Sequence, residues 1–176
     1  MNPQIQALLA SLGSNEKSSI SHNHIDGLDT SIDEYQVLFQ YDQGSIFCVL
    51  STAKKAYPWA GLAQINFTKV FIECPAGIEV SISSRKKMFS RQTTPLIQCS
   101  NTKIKQLVLS SQTILTSLSK EPDLGLETTN KLNIQSFNYP AEKFLLAKVK
   151  TIVDREKFAN LISLFKELLF ILNKFK

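Results

Sequence analysis

The stretch EYQVLFQYDQGSIFCVLS, residues 34–51, decides the fold. Tyr35, Val37, Phe39 and Tyr41 alternate with Gln36, Leu38 and Gln40, the period-2 pattern of a strand with one face turned to a core. Asp42-Gln43-Gly44 interrupts the run, and residues 45–51 resume it as a second apolar strand. Two such runs around a short polar break read as a β-hairpin, and so as the start of an antiparallel sheet.

Further along, INFTKVFIE (65–73) and GIEVSISS (77–84) are expected to form a second strand pair, turning through Cys74-Pro75-Ala76-Gly77. Ile78, Val80 and Ile82 would face one way and Glu79, Ser81 and Ser83 the other, leaving one face of the sheet buried and one wet. Near residue 102 the period changes. Ile104, Leu107, Val108, Ser111, Leu115 and Leu118 recur at spacings of three and four, which predicts one amphipathic helix opened by Asn101 or Thr102 and stopped by Glu121-Pro122-Asp123. LGLETTNKLNIQSF (124–137) reads as a hairpin turning at Thr129-Asn130, and KFLLAKVKTIV (143–153) as a short apolar run. After Asp154, a natural N-cap, Phe158, Leu161, Ile162, Phe165, Leu168, Leu169 and Leu172 make a helical stripe. Leu164, Phe170 and Ile171 lie off it, so the far end of this helix must be deep in the core or covered by something else.

The order lacks βαβα alternation and a glycine-rich phosphate loop. It predicts an α+β fold: an antiparallel sheet built from hairpins, with two amphipathic helices packed on one face, one of them the long C-terminal helix. Residues 34–176 are expected to be a single domain, and residues 1–33 a polar, acidic arm with a possible short helix over 3–12 closed by Gly13.

Composition fits an ordinary globular chain: of 176 residues, 43% are hydrophobic and 20% charged. The longest apolar run, LLFIL (168–172), is far short of the roughly 20 residues that span a bilayer. MNPQIQALLASLG has no basic segment ahead of an apolar run, so no secretory signal is expected. Cys48, Cys74 and Cys99 are odd in number and widely spaced, which suits free thiols in a reducing compartment. Together these predict a cytoplasmic protein.

Both histidines lie in SHNHIDGLD, residues 21–29, as His22-x-His24-x-Asp26. Imidazole and carboxylate groups at this spacing suit zinc, and ISHNHIDGLD resembles the metal-binding loop of the metallo-β-lactamase fold, where a strand ends in His-x-His-x-Asp-His. Here Gly27 stands where the last histidine belongs, and no histidine follows His24. No metal, cofactor or catalytic residue is therefore expected, and the stretch reads as a solvated loop. From about residue 35 to 172, the order of a strand meeting a short basic turn, then a helix, a hairpin and a closing amphipathic helix is similar to certain uncharacterised bacterial domains, some of which hang from membrane-spanning segments. That resemblance is one of pattern and carries over no functional residue.

Charge is uneven. Residues 1–42 hold six acids and one lysine, whereas residues 80–120 hold Arg85, Lys86, Lys87, Arg91, Lys103, Lys105 and Lys120 and no acid. SSRKKMFSR (83–91) sets four cations around Met88 and Phe89, which suits an anionic surface or partner, while a solvated turn is the plainer reading. AKKAYPWAGL (53–62) carries Lys54, Lys55, Tyr57 and Trp59 between two expected strands, where binding groups are often displayed, although a Pro-Trp can also plug the edge of a core. Lys54, Lys55, Tyr57, Trp59, Arg85, Lys86, Lys87 and Arg91 are thus the candidate partner-binding residues. The function expected is a non-catalytic interaction or scaffold module. The alternatives are a peripheral membrane or polyanion binder using the basic turn, and an enzyme with an unadvertised site. A protein partner or an anionic surface is favoured over nucleic acid.

Overall fold

In a computed structural model, the structure describes residues 3–12, 18–27, 30–57, 61–86, 93–121, 123–130, 142–151 and 154–175. The strands are β1 (Ser18–Asp26), β2 (Thr30–Tyr41), β3 (Gly44–Tyr57), β4 (Gly61–Glu73), β5 (Val80–Lys86), β6 (Thr93–Cys99), β7 (Gly125–Thr129) and β8 (Phe144–Val149). The helices are α1 (Pro3–Leu12), α2 (Thr102–Ser110), α3 (Gln112–Lys120) and α4 (Arg155–Asn173). All eight strands form one antiparallel sheet in the order β1-β2-β3-β4-β8-β7-β5-β6. The α+β class and the long C-terminal helix follow the sequence.

The hairpin that decides the fold is β2–β3, with Tyr41 opposite Gly44 across Asp42-Gln43. Gly44 has φ +138°, which a residue with a β-carbon rarely adopts. An added Cβ there would also stand 3.2 Å from Leu169 Cδ1, so the turn lies directly under α4. Val37, Phe39, Ile46, Cys48, Leu50, Val70, Ile72 and Leu145 share one face of the sheet, and all four helices bury apolar side chains in the same core with them. In α4 the predicted stripe is buried throughout, and so are Leu164 and Ile171, which settles the far end of the helix in the core; Phe170 alone of these stays 46% exposed. Asp154 caps the helix by accepting from Lys157 N at 2.9 Å.

Several local expectations are corrected. Residues 14–33, expected as an arm, contain β1 and the first residues of β2, joined over the register Ser18↔Phe39 to Asp26↔Ser31. A polar strand has no apolar alternation to betray it, yet its backbone pairs as well as any other at the edge of a sheet. The stretches 65–73 and 77–84 do not pair with each other, because β8 and β7 lie between them. Phe71 and Ile72 are both buried, on opposite faces, so β4 belongs mid-sheet and its second neighbour comes from far along the chain. The Cys74–Gly77 turn instead carries the chain away from β4, with Gly77 at φ +79°. Residues 93–99, not read as a strand, form edge strand β6, where Pro95 is tolerated because one side needs no hydrogen bonds.

The single helix expected over 101–120 is two. Ser111 ends α2 by donating its N–H to Val108 O and opens α3 by accepting Ile114 N at its Oγ. Asn101 caps α2 as expected, accepting from Lys103 N at 3.0 Å and Ile104 N at 3.2 Å. Nor is the second sheet face wholly wet. Phe47, Val49, Phe71 and Phe144 are buried there, Phe47 stacked on Phe71 at 5.1 Å and Phe144 edge-on to Phe71 at 5.8 Å.

Candidate functional site

Strand directions sort the turns. β1 and β2 close at Asp26↔Ser31, β3 and β4 at Tyr57↔Gly61, and β5 and β6 at Lys86↔Thr93. Following the register across the sheet, all three turns lie at one end, called distal here, while the β2–β3 turn lies at the other. The middle strands stop short of the distal end: β8 finishes at Val149 opposite Thr68, and β7 begins at Gly125 opposite Ser83. Thr68 Oγ1 donates to Thr151 O at 2.8 Å where the chain leaves the sheet on its way to α4. Among the described residues, the hairpins β3–β4 and β5–β6 therefore extend past a short central pair and flank a notch in the strand ladder.

This topology brings the two groups of candidate residues to one end. Lys54 and Lys55 are exposed on the projecting part of β3, and Tyr57 is its last residue. Arg85 and Lys86 end β5. Trp59, Lys87 and Arg91 lie outside the described residues, as do Met88 and Phe89. Sequence reading missed two further cations. Lys69 of β4 and Lys148 of β8 are direct cross-strand neighbours, and their ammonium groups lie 5.0 and 5.6 Å from the centre of the Phe67 ring. Burial first, and then Lys148, lowers the Lys69 pKa below the ordinary lysine value, while Glu34 partly offsets them. Each lysine sits in its own apolar run, and only the register unites them.

On the opposite sheet face of the β1–β2 hairpin, His22, His24 and Asp26 alternate along β1 and meet Asp33 of β2. His24 Nδ1 lies 2.8 Å from Asp33 Oδ1 and its Nε2 3.0 Å from Asp26 Oδ1. His22 Nε2 lies 3.3 Å from the same Asp33 oxygen, its ring stacked on Tyr35 at 4.4 Å. Once protonated, His24 can donate from both nitrogens and bridge the two carboxylates. Asp33 in the first place, and Asp26, raise its pKa, while the hydrogen bond from His24 lowers that of Asp33. The imidazoles are thus engaged with carboxylates as a clasp between strands. Among the described residues, no three His, Cys, Asp or Glu side chains are grouped so as to hold a metal ion.

At the other end, a surface hollow is lined by Glu79, Cys99, Glu127 and Thr128. Its Glu79 carboxylate is held by Lys143 and accepts from Thr128 Oγ1 at 2.6 Å, contacts that lower its pKa. A carboxylate held ionised this way suits a structural tie better than proton transfer. Cys48 is fully enclosed in the core, and burial pushes its thiol well above the ordinary value, so it is inert as a nucleophile. No helix among the described residues is long and apolar enough to cross a membrane. In comparisons with family models, with characterised proteins and with solved structures, nothing matches this chain.

Proposed function

We propose that the protein is a non-catalytic interaction module that meets an acidic protein partner at the distal end of its sheet. The observation that carries this reading is the shared position of the two basic hairpins, β3–β4 with Lys54 and Lys55 and β5–β6 with Arg85 and Lys86, at either side of the notch. Opposite charge at such a surface steers encounter and selects partners more than it sets raw affinity. The projecting parts of β3, β4 and β5 contain Lys54, Lys55, Arg85 and Lys86 and no acid, and Lys69 and Lys148 pair at the foot between the hairpins, within range of Glu34.

Poly-glutamate is a suitable first probe, with anionic vesicles and a duplex oligonucleotide alongside it. Poly-glutamate should bind the full chain at low salt and be released steeply as salt rises through screening. Reversal of Lys54, Lys55, Arg85 and Lys86 to glutamate should remove binding while leaving the thermal transition in place. Absence of poly-glutamate binding at low salt overturns the proposal. The second reading, a peripheral membrane or polyanion binder, draws on Arg85, Lys86, Lys87 and Arg91, which lie close together in the sequence. Stronger binding to the vesicles than to poly-glutamate would favour it.

A further inference from the structure

We infer that residues 61–67 of β4 are a docking edge at which an extended acidic peptide adds as a further strand. The inference rests on the interaction reading above and names the form in which the partner binds. Among the described residues, β8 pairs with β4 only from Thr68 to Glu73, so Gly61–Phe67 has a neighbour, β3, on one side alone. At about 3.4 Å per residue the open edge is roughly 23 Å long, enough for a peptide strand of ordinary length.

Charge in the second half of β1 and a proline in β6 mark the sheet's outer edges, although β1 also exposes Ile20 by 49%; among the described residues Gly61–Phe67 has neither device. β1 carries His22, His24 and Asp26, tied into the clasp with Asp33, and β6 carries Pro95. GLAQINF has neither a charge nor a proline, and Ile65 is 49% exposed. An uncharged, proline-free edge with an exposed β-branched residue invites pairing with another strand. The space beside it is also bounded: β5 lies three strand positions from β4, about 14 Å away at the usual spacing, with β8 and β7 ending below.

Charge selects the occupant. Lys69 and Lys148 sit side by side at the foot of the notch, Lys54 and Lys55 rise along β3, and Arg85 and Lys86 end the opposite hairpin. A second copy of the chain would bring the same cations against these, with the acids of its own β1–β2 hairpin lying two strands away, whereas an acidic strand would neutralise them directly. Main-chain hydrogen bonds would supply affinity, with alternate side chains beside Ile65 and Phe67 or beside Gln64 and Asn66, which occupy opposite faces of β4.

Two fluorescent nonapeptides of equal charge separate strand addition from plain attraction: one of alternating valine and glutamate, the other with each valine replaced by proline, which cannot pair along an edge. With the full chain at low salt, the valine peptide should bind at least tenfold more tightly and slow amide exchange within residues 61–67. Ile65→Lys should remove that preference without altering the folded far-ultraviolet spectrum. Equal binding of the two peptides overturns strand addition and leaves the interaction reading standing. Failure of both to bind overturns the two together. Sedimentation showing a dimer that Ile65→Lys dissociates would assign the edge to a second copy and overturn the acidic occupant.

Discussion

Replacing Phe165 by alanine measures how far α4 is part of the fold. The ring is fully buried in the main core, midway along a helix that buries nine apolar side chains against the sheet. Removing it leaves a cavity among neighbours fixed by the sheet, so the cost should be about 3–5 kcal/mol. For a chain of this size each kcal/mol moves the melting temperature by roughly 2–4 °C, which places the expected loss at roughly 6–20 °C. Phe170→Ala, on the same helix but 46% exposed, is the control, and should cost under about 1 kcal/mol. Deletion of residues 154–176 removes all nine side chains, about 14–27 kcal/mol of burial at about 1.5–3 kcal/mol each. Against a total stability of roughly 5–15 kcal/mol, the shortened chain cannot fold. Thermal and urea denaturation followed by circular dichroism read all three variants. A cooperative transition surviving the deletion, or equal losses for Phe165→Ala and Phe170→Ala, would refute the assignment of α4 to the core.

Two further outcomes are expected. The raised His24 pKa means that its share of the clasp is complete below the ordinary histidine range and fades as pH rises through the raised value, while the lowered Asp33 value means that the carboxylate's share fades only as pH falls through it. Nuclear magnetic resonance titration should therefore find His24 above the ordinary histidine value, and Asp33→Asn should bring it down; an unshifted His24 would dissolve the clasp. Gly44→Ala should destabilise by more than about 1 kcal/mol in urea denaturation, because φ is +138° and the added methyl meets Leu169; a neutral result would show that the turn relaxes freely.

The sequence by itself determined the elements whose side chains repeat with a single period: the β2–β3 hairpin, the helical stripe of α4 and its Asp154 cap, and the α+β class that their order implies. Each is a local pattern, fixed by which face of one strand or helix must leave water. What tertiary structure alone decided is who pairs with whom. β1 has a single isoleucine on each face, Ile20 and Ile25, and is held in place by backbone bonds and the His24 clasp, which no hydrophobic period announces. β4 and β5 look like partners in sequence and are separated by β8 and β7, because a strand buried on both faces needs two neighbours and nothing in its own residues names the second. The candidate site divides in the same way. Lys54, Lys55, Arg85 and Lys86 were legible as charge runs, whereas their gathering at one end, the contact of Lys69 and Lys148 with Phe67, and the open edge of β4 follow from strand direction, length and register. Register is a property of pairs of strands distant along the chain, so it exists only once the sheet has closed.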